Sequence, residues 1–183
     1  MSILDFFGRS RQDEKLLKEQ RARLWRLAYA WCHDRALADD LVQEALAKAI
    51  RHRDQLREAQ ALFAWLCAIL AHCWHDHLRS RREHDDLESV DETALPETLS
   101  AEEDVAQNEL VRRVREAVAA LPPGQREVVT LVDLEECSYA EVAAILEIPI
   151  GTVMSRLSRA RAILRERLAE PPVRSATVHR LKA

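Results

Sequence analysis

Four groups of side chains in this 183-residue sequence have types and spacings that could do chemistry. Sulfur and imidazole crowd one stretch, with Cys67, His72, Cys73, His75 and His77. A structural zinc site needs four converging ligands. On a straight helix only Cys73 and His77, at i and i+4, share a face. Packed cysteines and partly exposed histidines are therefore expected, with no metal and no other cofactor. In the same stretch Trp65, His72, Asp76 and Arg79 fall within about 60° of one another by helical geometry. An aromatic, two polar groups and a cation in one stripe suit bases unstacked from a single strand. They equally suit a tryptophan capping a core beside a solvated histidine. Asp39, Asp40, Gln43 and Glu44 form an acidic-polar patch that by itself reads as a solvated surface. Near the C-terminal end Ser155, Ser158 and Arg159 share one helix face, flanked by Arg156 and Arg161, a placement that suits phosphates. No Ser/His/Asp or paired-carboxylate constellation stands at useful spacing, so no enzyme is expected.

The elements that must position these groups are helices. Glycine occurs 3 times and proline 6 times, too rarely for the turn-rich sandwiches, barrels and nucleotide folds. Alanine, leucine, arginine and glutamate favour helix nearly everywhere. Apolar spacing predicts helices over about 13–31, 36–52 and 59–82. In the second, Leu37, Leu41, Val42, Ala45, Leu46, Ala49 and Ile50 form the buried stripe. The third ends in Arg79-Ser80-Arg81-Arg82, where cations suit the negative end of the helix dipole. Further helices are expected over about 104–121, stopped by Pro122-Pro123-Gly124, and over 125–135. A capping box, Ser138-Tyr139-Ala140-Glu141, opens a short helix to about Leu146. A turn through Glu147-Ile148-Pro149-Ile150-Gly151 then leads to a last helix over 152–169, with Val153, Leu157, Ala160, Leu164 and Leu168 facing inward. That pair is a helix-turn-helix signature, or else an ordinary α-hairpin with a basic wet face.

Charge divides the chain as the helices do. Residues 1–82 carry 15 basic against 11 acidic side chains, residues 83–110 carry 11 acids and no Lys or Arg, and residues 111–183 carry 12 basic against 9 acidic. Two mildly basic blocks thus flank an acidic connector, read as a flexible linker. The expected class is all-α: two small helical domains joined by a flexible acidic linker, the C-terminal one a helix-turn-helix domain. The expected organisation is residues 1–82, linker 83–103, helix-turn-helix domain 104–170 and a loose tail 171–183. No window reaches the ~20 apolar residues of a membrane span, and residues 1–11 lack a secretory pattern. With four cysteines and no CxxC, reduced thiols and a cytoplasmic location are expected.

The motifs, taken together, resemble one family. Ser138-Tyr139-Ala140-Glu141-Val142-Ala143, followed by Ile148-Pro149-Ile150-Gly151-Thr152-Val153-Met154-Ser155-Arg156-Leu157-Ser158-Arg159-Ala160-Arg161, resembles region 4 of extracytoplasmic-function (ECF) sigma factors of the sigma-70 family. Leu121-Pro122-Pro123-Gly124-Gln125-Arg126-Glu127-Val128 resembles the opening of that region. Asp40-Leu41-Val42-Gln43-Glu44 resembles the region 2 signature, and Phe63-Ala64-Trp65-Leu66 with Asp76-His77-Leu78-Arg79-Ser80-Arg81-Arg82 resembles the promoter-melting helix. The family order is kept over residues ~20–170, which a lone helix-turn-helix could not supply.

The resemblance implies an alternative sigma factor. Asp39, Asp40, Leu41, Gln43 and Glu44 would dock on the β′ clamp helices of core RNA polymerase, with the β flap as a second contact. Trp65, His72, Asp76, Arg79, Arg81 and Arg82 would recognise the −10 element of promoter DNA. Thr152, Met154, Ser155, Arg156, Ser158, Arg159 and Arg161 would read the −35 element. It further implies an anti-sigma factor, often membrane-anchored, with no membrane insertion by this chain. His72 replaces a common asparagine, Met154 a common basic residue and Glu147 a common glycine. A sigma-like mimic that binds an anti-sigma factor, and a plain helix-turn-helix regulator, are the rival readings.

Overall fold

A computed structural model of the chain describes residues 11–52, 55–56, 58, 61–85 and 105–169. No strand occurs among them, and no helix among them is long and apolar enough to cross a membrane. Helices α1 (Arg11–Cys32), α2 (Arg35–Arg51) and α3 (Leu62–Asp85) pack mutually as the first block. The second contains α4 (Val105–Ala119), α5 (Pro123–Val129), α6 (Tyr139–Ile145) and α7 (Ile150–Ala169), with a π-helical turn, Thr130–Leu134, continuing α5.

Local signals account for most boundaries. His33 follows α1 in the left-handed region, at φ 55°. Asp34 caps α2 by accepting from the Leu37 amide at 3.0 Å, satisfying a donor that the first turn leaves free. Pro123 supplies the first residue of α5, where a missing N–H costs nothing. The expected capping box is formed. Ser138 Oγ accepts from the Glu141 amide at 3.2 Å, and Glu141 Oε2 accepts from the Ser138 amide at 2.8 Å. Two donors that the helix cannot use are thus satisfied reciprocally. Ser138 Oγ–H also donates to Glu141 Oε2 at 2.7 Å, and that bond first, then the one from the Ser138 amide, holds the Glu141 carboxyl below its usual range.

Three departures from the expected helices have a local cause. α3 runs on to Asp85, since Glu83-His84-Asp85 contains no breaker, and so takes three residues expected in the linker. α7 starts at Ile150 because the Pro149 carbonyl accepts from both the Thr152 and Val153 amides, winding the first turn early. The last turn of the expected 125–135 helix widens into the π turn, with the Glu135 amide reaching back to Thr130 O. Most of the expected linker and the whole C-terminal tail lie outside the described residues.

The expected stripes face the core, with one exception. Leu41, Val42, Ala45 and Ala49 of α2 are buried and Leu37 and Leu46 half-buried, while Ile50 is exposed. On α7, Val153, Leu157 and Ala160 are buried, and Leu164 and Leu168 half-buried. The two blocks do not keep separate cores. Leu24, Leu27 and Trp31 of α1 and Leu66, Cys67, Leu70 and Trp74 of α3 join Val128, Leu131, Val142 and Val153 in one continuous cluster.

The capping box is the simplest element to test. Ser138→Ala is expected to cost about 1 kcal/mol, lowering the melting temperature by roughly 2–4 °C for a chain of this size. Thermal unfolding followed by circular dichroism checks this. An unchanged melting temperature would mean that the cap does not hold α6.

Candidate functional site

The acidic patch lies along α2. Asp40, Gln43 and Glu44 are exposed and Asp39 is half-buried. Two of its carboxylates are partly neutralised: Asp39 faces Arg21 at 3.5 Å, and Glu44 pairs with Lys48 at 2.8 Å. Leu41 does not share this surface. It is buried in the core and supports the patch from behind, because its place in the apolar stripe wins over its place in the motif.

On α3, His72, Asp76, Arg79 and Arg81 are exposed and Trp65 is half-buried, packed partly against the core. The helix includes Arg82, whose side chain lies outside the described part of the structure. The structure brings His72, Asp76 and Arg79 into one groove, with Lys48 and His52 on one side and Glu147 of the helix-turn-helix on the other. Lys48 holds this wall in place, 2.8 Å from Glu44 and 3.9 Å from Asp76. The cysteine and histidine cluster disperses around the helix. His77 stacks on Trp74, His75 turns to Glu127, and Cys67 and Cys73 are buried, with both thiols pushed up first of all by burial. Among the described residues no three His, Cys, Asp or Glu side chains are placed to hold a metal ion.

The helix-turn-helix is α6, the turn 146–149 and α7. Glu147 takes φ 52° in that turn. Its side chain is thus accepted at a left-handed position, at a cost on the order of 1 kcal/mol. Met154, Ser155, Ser158 and Arg159 are exposed on α7, and Thr152 is half-buried. The two flanking arginines are turned away from that face. Arg161 makes a forked pair with Asp133 of the π turn, at 2.5 Å and 3.2 Å. A phosphate would have to displace that two-pronged, charge-assisted contact. Arg156 is half-buried, and a β-carbon built on Gly124 would stand 2.9 Å from its Nη1. Its guanidinium therefore packs beside α5, where the absence of a β-carbon at Gly124 leaves it room.

A further set of polar residues ties the two blocks together. Trp31 Nε1 donates to Thr130 Oγ1 at 2.8 Å, and Arg126 donates to the carbonyls of Trp31, Ala119 and Leu121. Glu127, 3% exposed, accepts from Trp74 Nε1 at 3.0 Å on one oxygen and meets His75 Nε2 at 3.2 Å on the other. Arg23 of α1 binds Glu135 at 2.9 Å and lies over the Phe63 ring, 3.5 Å from its centre, where the ring face attracts a cation. His72 Nε2 stands 3.3 Å from Glu147 Oε1. None of Arg23, Trp31, Trp74, Arg126, Glu127, Thr130 or Glu135 stood out in the sequence as an interface residue. The available signal was a charged pair, Arg126-Glu127, inserted beside an apolar run.

Comparison with known proteins fits this geometry. Residues 16–84 match sigma-70 region 2, and residues 111–164 match sigma-70 region 4. The RNA polymerase sigma-H factor of Pseudomonas aeruginosa is 31% identical over 178 residues, covering 92% of each chain. The ECF RNA polymerase sigma factor SigC of Mycobacterium tuberculosis is 34% identical over 158 residues, covering 86% of this chain and 83% of its own. Among solved structures, the sigma factor RpoE of Bartonella quintana, in complex with the anti-sigma factor NepR, is 29% identical. It matches with a TM-score of 0.73 over 87% of this chain and 98% of that one. The order of both regions, their helical frame and this breadth of identity agree: the chain belongs to the ECF group of sigma-70 family RNA polymerase sigma factors.

Proposed function

We propose that the chain docks on core RNA polymerase through Asp39, Asp40, Gln43 and Glu44 and carries it to promoters. It reads the −10 element with Trp65, His72, Asp76, Arg79, Arg81 and Arg82. The −35 element is met by Thr152, Met154, Ser155, Ser158 and Arg159, with Arg156 swinging out from beside Gly124 and Arg161 leaving Asp133 to reach phosphates. The row on α7 is the observation that carries this reading. Met154, Ser155, Ser158 and Arg159 face outward on a helix whose opposite side is core, behind a capped α6 that sets its angle. Met154 favours thymine methyls over a phosphate or a guanine edge, so apolar contact replaces one charge-based contact. The mechanism is binding and strand separation, without catalysis of its own. An anti-sigma factor of the kind seen on the Bartonella relative would hold the chain inactive by covering its polymerase-binding surfaces. A plain helix-turn-helix regulator would leave the first block and its acidic patch without a purpose.

Spacing sets a condition on this activity. Positions −35 and −10 are roughly 25 base pairs apart, on the order of 80 Å along straight duplex at about 3.4 Å per base pair. The longest helix among the described residues has 24 residues. That is about 36 Å at roughly 1.5 Å per residue. With both blocks sharing one core, they cannot occupy both elements together, so polymerase binding must part them.

Two substitutions separate the roles. Asp40→Arg/Glu44→Arg is expected to abolish co-elution with core polymerase on size exclusion while leaving the helical circular dichroism spectrum unchanged. Retained co-elution would remove this patch from the docking surface. Arg159→Ala is expected to leave docking intact and weaken promoter binding by the holoenzyme about tenfold, within the range of about 1–3 kcal/mol for a specific contact. Equal loss of docking and promoter binding would defeat the assignment of Arg159 to DNA.

A further inference from the structure

We infer that His75 with Glu127 forms a proton-operated latch that holds the two blocks closed in mild acid and loosens as pH rises. The inference bears on activity through the function proposed above, but the latch stands on its own contacts. Two pairs join a histidine of α3 to a glutamate of the second block, His75–Glu127 at 3.2 Å and His72–Glu147 at 3.3 Å. They differ in burial. Glu127 is sealed from water in the closed form, so its carboxylate depends on donors from α3. Trp74 supplies one permanent N–H. The other oxygen faces His75, whose ring carries an N–H on both nitrogens only when protonated. The His72–Glu147 pair is exposed and adds less.

The groups around His75 settle the direction. From α5, Glu127 favours its protonated form; from α7, Arg156 opposes it; on its own helix, Asp76 favours it. Lys48, His52, His72, Arg79 and Glu147 line the groove that it shares. Direct contact with Glu127 outweighs burial and Arg156, and the imidazole is raised from its ordinary 6.5. Opening would return Glu127 to water and His75 to about 6.5. Closing therefore takes up a proton. Its contribution is complete below about pH 6.5 and is lost as pH rises through the raised value.

The Trp74 indole N–H reads opening directly, since it is bonded to Glu127 across the seam. Its solvent exchange is to be followed by NMR in the full-length chain and in His75→Gln, whose side-chain amide can donate but cannot titrate. Taking the ratio of variant to wild type at each pH cancels intrinsic exchange chemistry. The variant is expected to exchange faster at about pH 6, by up to tenfold for each pH unit by which His75 is raised, with the ratio falling to a constant near pH 9. A ratio independent of pH would overturn the latch. His75 ring titration gives a second measurement that does not depend on the variant folding normally. A midpoint above 6.5 in wild type that falls in Glu127→Gln supports the latch, and a midpoint at or below 6.5 overturns it. Core polymerase is then added. Faster holoenzyme formation by His75→Gln than by wild type at about pH 6, equalised near pH 9, links the latch to activity. Failure of every form to bind core would instead overturn the proposed function, with the exchange result standing.

Discussion

A carboxylate placed where water cannot reach it decides how the two blocks meet. Glu127 lies in the second block, yet the donors within reach are Trp74 and His75 of the first. Its neighbour Arg126 has the reciprocal arrangement. Its guanidinium satisfies carbonyls at the end of α4 and the last turn of α1, although burial depresses its own proton affinity. One short stretch of α5 thus sends an anion to α3 and a cation to α1. Buried charges of this kind add little net stability over apolar packing, but leaving one unpaired costs several kcal/mol. They therefore fix which surfaces meet and penalise sliding, while leaving the closed form weak enough to be parted.

That balance suits a protein whose recognition surfaces conflict with its resting shape. α3 belongs to the core on one side, receives the second block on another, and carries His72, Asp76 and Arg79 on the groove between. Arg156 of α7, placed in the −35 set only by the proposed function, rests near Gly124 and His75. Arg161 is held by Asp133 within the second block itself, so a phosphate reaching it must displace that pair whatever the blocks do. The near-neutral composition acts in the same direction, since few counterions are released on binding.

Most of the frame was legible because it rests on local rules. The Ser138–Glu141 box, the Pro122-Pro123 break and the stripes of α2 and α7 each depend on residues a few positions apart, and the structure places them as the spacing implies. Leu41 shows where motif and periodicity compete: it sits inside a functional signature, but its spacing assigns it to the core. The seam was not legible. Trp31 and Thr130 are 99 positions apart, and Trp74 and Glu127 are 53. Helical period shows that α3 has an apolar side, but not that a second side is covered by another block. Trp74 therefore reads as an ordinary helix residue and His75 as one more partly exposed histidine of its cluster, and separate domains are the natural expectation.

The two substitutions that looked unrelated in the sequence have one physical setting in the structure. Histidine at 72 gives up an amide suited to a base edge, and glutamate at 147 gives up the glycine that a left-handed turn prefers. Each is a loss when its own element is considered alone. Folding brings the two side chains to 3.3 Å across the groove. Exposure keeps that pair weak, so it cannot repay the backbone cost at Glu147 by stability alone. Its effect is positional: a carboxylate from the helix-turn-helix turn stands against a histidine of α3. There it presents a negative charge to the His72 imidazole across the groove. Under the proposed function, closure and promoter contact would compete for that imidazole, so one pair of replacements would bear on both base recognition and the contact between the blocks.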